Sequence, residues 1–190
     1  MSNERIWTIP NILTLLRLPL SVVLFAFIAC EWWMWALIVF AVGSLTDWAD
    51  GYLARKLNQQ SDLGRNLDPL LDKVWTGGAF IFLIVAPKSG IHAWMATVVV
   101  GREMLITGLR GMMETKGVKF GADWFGKLKT VLQMAAIIAI LVVLWLRTQG
   151  WAEGGITFLF AVQTTLIYLM LAATIGSGLQ YIVKAARQYR

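Results

Sequence analysis

Apolar residues run along the chain in six blocks, roughly Asn11 to Cys30, Trp32 to Asp47, Leu70 to Ala86, Ile91 to Leu109, Val131 to Leu146 and Ile156 to Ile182. A helix needs about 20 residues to cross a bilayer; several blocks are that long, and the shorter ones reach it if their polar ends lie in the interface or in a cavity. The pattern therefore predicts an all-α polytopic membrane protein of six transmembrane helices. No segment reads as a Ser/Gly/Pro linker, and the longest polar stretches are about a dozen residues, so residues 1–190 are expected to form a single integral membrane domain. The N-terminal "MSNERIWTIP" lacks a strongly basic n-region, and no small-residue cleavage site follows the first block, which reads as a retained helix.

Composition agrees with that pattern. Of 190 residues 58% are hydrophobic and 15% charged, too apolar for an ordinary soluble domain of this length. With six spans, one side of the membrane receives Arg5, the Arg55–Arg65 connection, the Lys116–Lys129 connection, Lys184, Arg187 and Arg190. The other receives little beyond Lys88 and Arg147. The positive-inside rule then puts both termini in the cytoplasm of a multi-pass cell (inner) membrane protein. The net charge of +6 suits anionic lipid headgroups and phosphorylated substrates and needs no nucleic acid to explain it. Several of the ten tryptophans, in "EWWMW" and at Trp7, Trp124 and Trp151, read as interfacial anchors. Cys30 stands alone and can form no intrachain disulfide.

Four of the eleven acidic residues break the apolar pattern in an ordered way. In "TDWADGYLARKL", Asp47 and Asp50 are spaced i, i+3, and Gly51 and Ala54 continue the same helical stripe, so two carboxylates stand beside two small side chains. In "GRNLDPLLD", Asp68 and Asp72 are spaced i, i+4, with Gly64 one turn earlier. Asp68–Pro69 also has the form of an N-cap followed by proline at the first helical position. The short connection between the stretches makes the two helices antiparallel neighbours, so four carboxylates can converge. Four uncompensated negative charges would repel one another, and a bound cation relieves that more readily than neutralising them all. Oxygen ligands without His or Cys favour Mg²⁺ or Mn²⁺, with Ca²⁺ also open. Two ions bridged by shared carboxylates are a recurring clamp for phosphoryl chemistry. Arg55, one turn past Gly51, can add positive charge for a phosphate oxygen.

Other cations suit a separate, anionic ligand: Arg102, Arg110, Lys127 and Lys129. Arg102 lies inside an apolar block beside Glu103, where an ionisable residue is a functional candidate by default and an ion pair with Glu103 is the structural alternative. Lys127 and Lys129 are not separable by pattern, and both also serve topology. Arg17, well inside the first block, either snorkels or pairs with an acid and is not counted among the site residues. His92 falls on the sparsely charged side, away from the aspartates. Gly176 and Gly178 would permit close helix packing.

The spacing D-x2-D-G-x2-A-R-x8-G-x3-D-x3-D is complete here as Asp47, Asp50, Gly51, Ala54, Arg55, Gly64, Asp68 and Asp72. It resembles the signature of the CDP-alcohol phosphatidyltransferases. "PNILTLLR" at residues 10 to 17 looks like the family's first helix, and "GREMLITGLR" with "GKLKTVLQ" looks like its phosphatidylglycerophosphate-forming branch. The resemblance implies a six-helix membrane enzyme, usually a homodimer, with two divalent cations, Mg²⁺ or Mn²⁺. Asp47 and Asp68 would be shared by both ions, Asp50 would bind one and Asp72 the other, with Asp72 also the general base. It further implies CDP-diacylglycerol contacts at Asn11, Thr14, Gly51, Arg55 and Ser61. The expected reaction is attack of an alcohol on the phosphate next to diacylglycerol, with CMP leaving. Branch and cations together favour glycerol 3-phosphate, held by Arg102, Arg110, Lys127 and Lys129. Rival readings are another acceptor, inositol phosphate or phosphatidylglycerol, and, from a different class, a divalent cation transporter.

Overall fold

The computed structural model describes the backbone of residues 9–57, 62–114, 124–151 and 153–188, and side chains within 15–46, 70–113, 124–151 and 154–187. Among the described residues every element is helical: α1 (Ile9–Ala29), α2 (Trp33–Leu57), α3 (Asp62–Val85), α4 (Ala93–Glu114), α5 (Trp124–Thr148) and α6 (Glu153–Gln188). The chain divides into two compact units, Met1–Lys88 and Ser89–Arg190.

In the first unit α1 packs against both α2 and α3. Ser21, Leu24 and Ile28 follow Arg17 down one stripe of α1 at helical spacing, and all four are buried. The turn into α2 is tight: the Trp32 amide donates to Phe27 O (2.8 Å) and the Glu31 amide to Ile28 O (3.1 Å), with Glu31 in the left-handed region at φ 59°. This is a Schellman ending, which returns the chain at once and makes α1 and α2 antiparallel neighbours. On α3, Phe25 of α1 stacks on Phe82 (centroids 4.8 Å apart) and lies over Gly78, where an added Cβ would come 2.2 Å from its Cζ.

In the second unit α4 and α5 both pack on α6. The buried stripe of α6 runs through Ile156, Gln163, Ile167, Met170, Thr174, Ser177 and Tyr181, and that of α5 through Lys129, Gln133, Ile137, Ile140 and Leu144. Both have the i, i+3/i+4 spacing of a helix–helix seam. The segment entering α4 is tied to α6 by Gln163, whose buried Nε2 donates to Ser89 O (2.6 Å) beside Gly90 at φ 74°. The α5–α6 turn uses Gly150, at φ 71°.

The apolar blocks underestimated the helices at one end. Helix α2 continues through the polar stretch to Leu57 and α3 begins at Asp62, as the helical spacing of Asp47, Asp50, Gly51 and Ala54, and of Gly64, Asp68 and Asp72, indicates beyond the apolar blocks. Hydropathy marks where lipid-compatible side chains stop, whereas a helix stops where its backbone bonding stops, and most polar residues propagate a helix well. Because α3 starts at Asp62, Asp68 and Pro69 lie inside it, and the N-cap form of that dipeptide is not its role.

Two helical segments among the described residues, Trp124–Thr148 and Gly154–Arg187, are long and apolar enough to cross a membrane. Shorter apolar stretches occupy Leu15–Ala29 and Trp33–Thr46. Large apolar side chains such as Val22, Leu45, Val85, Met104 and Phe158 are exposed on several helices. Water solvates such a surface poorly and lipid solvates it well.

Candidate active site

The two helices that carry the four aspartates, α2 and α3, meet through one side-chain contact. Trp75 of α3 is buried, stacks on Phe40 of α2 (centroids 5.7 Å, planes within 10°) and fills the space over Gly43. Residue 47 stands one turn beyond Gly43 along α2, and residue 72 about one turn before Trp75 along the oppositely running α3. Both positions therefore lie within a turn or so of this contact along their own helices. Asp72 is half-buried on α3, and its carbonyl accepts from Thr76 Oγ1 (2.9 Å). Asp47, Asp50, Gly51 and Arg55 are helical positions of α2, Asp68 of α3, and Asn11 and Thr14 of α1; their side chains lie outside the described set, and Ser61 lies outside the described residues altogether. Among the described residues no three His, Cys, Asp or Glu side chains form a metal-binding group.

Arg17 is a residue whose significance the sequence understated. It is 3% exposed. With α1 and α3 running parallel and Phe25 seated at Gly78, residue 17, eight before Phe25, comes level with residue 70, eight before Gly78. The buried guanidinium thus belongs to a residue of the α1 turn that faces the N-terminal half of α3. The available signal was its depth inside an apolar block, where a cation is costly unless it is paired or reaches water and is a functional candidate by default.

The second unit collects cations from different helices. Arg102 and Arg110 lie on α4, on the stripe that also buries Val99, Ile106 and Met113 against α6. Arg102 donates from one terminal nitrogen to Glu103 Oε1 (3.1 Å) and from the other to Ser177 Oγ of α6 (3.0 Å). Arg110 donates to the Tyr181 hydroxyl (3.0 Å). Both guanidinium groups stand over the Tyr181 ring, 5.8 Å and 5.4 Å from its centroid, in the range of cation–π attraction. Lys129, buried on α5, is paired with the same Oε1 of Glu103. Glu103 therefore links α4 to α5 across their common partner α6. Arg102 Nε is buried without a hydrogen-bond partner, an N–H donor still open to an acceptor.

Of the four expected cations, the fold brings Arg102, Arg110 and Lys129 together. Lys127 is exposed, two residues and so about 200° around α5 from Lys129. Glu103, Ser177 and Tyr181, which hold these cations, were not among the expected site residues. Gly178 leaves room for the arginine stem, since a Cβ there would stand 3.2 Å from Arg102 Cγ.

Among the described residues the protein is all-helical, with two helices long and apolar enough to cross a membrane, an aspartate-bearing helix pair in one unit and a cluster of cationic side chains in the other. The CDP-alcohol phosphatidyltransferase family profile matches residues 7–182, and the chain belongs to that family. Relatives include proteins named CDP-diacylglycerol–glycerol-3-phosphate 3-phosphatidyltransferase. That of Cereibacter sphaeroides is 36% identical over 160 residues, covering 80% of this chain and 72% of the relative. That of Escherichia coli is 34% identical over 176 residues, covering 87% and 92%. A Bacillus subtilis relative of the same name is 43% identical over 107 residues, about half of each protein (55% and 53%).

Proposed function

We propose that this protein transfers a phosphatidyl group from CDP-diacylglycerol to glycerol 3-phosphate, giving phosphatidylglycerophosphate and CMP in phospholipid biosynthesis. The names of the relatives matched over most of their length support this activity. The observation that carries the choice of acceptor is the cluster of Arg102, Arg110 and Lys129, whose positive charge exceeds that of Glu103 and leaves an excess suited to a phosphate monoester. An inositol phosphate would satisfy the same cations, but the relatives are named for glycerol 3-phosphate. A cation transporter has no use for such an anion site.

The acidic half is read as a metal centre held by Asp47, Asp50, Asp68 and Asp72. The donor set fits: carboxylate oxygens suit Mg²⁺ or Mn²⁺, and the Gly43–Trp75 contact draws together the helices that carry them. Two such ions, when bound, would neutralise the pyrophosphate and the charge that develops on departing CMP. Asn11, Thr14, Gly51, Arg55 and Ser61 are assigned to CDP-diacylglycerol, with Gly51 letting the nucleotide approach α2. Arg102, Arg110 and Lys129 hold the acceptor phosphate. The acceptor's hydroxyl oxygen attacks the phosphorus next to diacylglycerol, its proton passes to the Asp72 carboxylate, and the bond to the CMP oxygen breaks. The same reading has six membrane spans, a homodimer, and a site and both termini facing the cytoplasm, so that the lipid tails stay in the bilayer throughout.

The test is CMP release from CDP-diacylglycerol by purified protein in lipid nanodiscs, with glycerol 3-phosphate, inositol phosphate or phosphatidylglycerol supplied in turn and the lipid product identified. Release with glycerol 3-phosphate, lost in Asp72→Asn, is expected. Release with only another acceptor would refute the acceptor, and full activity of Asp72→Asn would refute the base.

A further inference from the structure

Gln133 is 2% exposed, and its amide Nε2 is buried without a hydrogen-bond partner. A buried amide donor left unpaired costs on the order of 1–3 kcal/mol, so such a group calls for a reason. An apolar side chain of the same length would fill the place on α5 without that cost.

Its surroundings supply the reason. Gln133 stands one turn beyond Lys129 on the stripe of α5 that faces α6. The register of the two helices is marked where Gly126 approaches the Tyr181 hydroxyl, 3.8 Å from a Cβ built on that glycine. Seven residues along each helix from that point are Gln133 and Thr174. Thr174 is also fully buried, and its hydroxyl makes a long 3.7 Å contact with Met170 Sδ. One turn nearer Tyr181 lie Lys129 and Ser177, which with Arg102 form the cation cluster. The polar seam thus has two levels: cations first, then neutral hydrogen-bonding groups.

We infer that Gln133 is a specificity residue of the acceptor site, donating from Nε2 to the secondary hydroxyl oxygen of the acceptor while the cations hold its phosphate. This rests on the proposed use of a glycerol phosphate. In that molecule the secondary hydroxyl oxygen is four bonds from phosphorus, a span comparable with the about 5.4 Å rise of one helical turn that separates Gln133 from Lys129. An acceptor without that hydroxyl leaves the amide unpaired, and a site built to hydrogen-bond a substrate hydroxyl discriminates strongly against the analogue that lacks it.

The experiment compares glycerol 3-phosphate with 3-hydroxypropyl phosphate, which keeps the phosphate and primary alcohol and lacks only the secondary hydroxyl. Wild-type protein is expected to prefer glycerol 3-phosphate by about tenfold or more in kcat/KM. In Gln133→Met that preference should shrink to within about twofold, through a raised KM for glycerol 3-phosphate, with the KM for CDP-diacylglycerol unmoved and Tm no lower. Equal loss with both acceptors would assign Gln133 to packing alone and overturn the inference. Equal use of the two acceptors by wild type would overturn it whatever the variant does. Failure of wild type to release CMP with glycerol 3-phosphate would instead bring down the proposed function, and this inference with it.

Discussion

Gly43 and Trp75 meet so closely that a Cβ on the glycine would lie 2.2 Å from the indole Cζ2. The indole has no flexible end to withdraw, because it is buried and stacked on Phe40. The approach of α2 to α3 therefore depends on a missing side chain, at a contact one turn from Asp47 on α2 and about one turn from Asp72 on α3.

Gly43→Ala is expected to force α2 and α3 apart. Overpacking of this kind costs about 1–3 kcal/mol, read as a lowered Tm. CMP release should fall further than the stability loss explains, by about a hundredfold, since small misplacement of reacting groups is expensive. Wild-type activity in a folded Gly43→Ala protein would mean that the contact does not set the carboxylate spacing.

Removing divalent cations with EDTA is expected to abolish CMP release, and Mg²⁺ or Mn²⁺ to restore it. Carboxylates bind these hard ions through oxygen. Turnover that persists in chelator would contradict the metal assignment of Asp47, Asp50, Asp68 and Asp72.

Lys127 and Lys129 should separate sharply. Lys129 is buried and paired with Glu103, whereas Lys127 is exposed on another face. Lys129→Met is expected to raise the KM for glycerol 3-phosphate by about tenfold or more, the scale of one charge-assisted hydrogen bond. Lys127→Met should change it by no more than about twofold, as surface substitutions do. The initial-rate dependence on acceptor concentration decides it.

Glu103→Gln removes the carboxylate shared by Arg102 and Lys129, whose side chains are 11% and 7% exposed. Breaking a buried pair from one side costs on the order of 3 kcal/mol, so Tm should fall markedly. The acceptor KM should rise because the cations lose their fixed positions. A lower KM would show instead that Glu103 competes with the acceptor phosphate.

Much of this protein was legible before folding was considered. Block lengths gave helices because a bilayer demands long apolar runs, and the i, i+3 and i, i+4 spacings placed each aspartate pair on one helical stripe whatever the tertiary fold. Helix ends were less legible from hydropathy alone: "TDWADGYLARKL" leaves the apolar block, and only its i, i+3 and i, i+4 spacing showed that α2 runs on, because side-chain hydropathy does not report backbone hydrogen bonding.

What the sequence determined by itself is thus local and periodic: helical class, the acidic signature and the family it marks, and the presence of cations for a second ligand. Only the tertiary structure decided which of them meet. It set Arg102 and Arg110 over Tyr181, tied Lys129 to Arg102 through Glu103, and left Lys127 exposed. It set Gly178 against Arg102 and buried Gln133 one turn from Lys129. The physical reason is that helical periodicity acts over a few residues, whereas these contacts join helices up to 75 residues apart, and their register follows from how side chains such as Trp75 and Tyr181 fill the space between them.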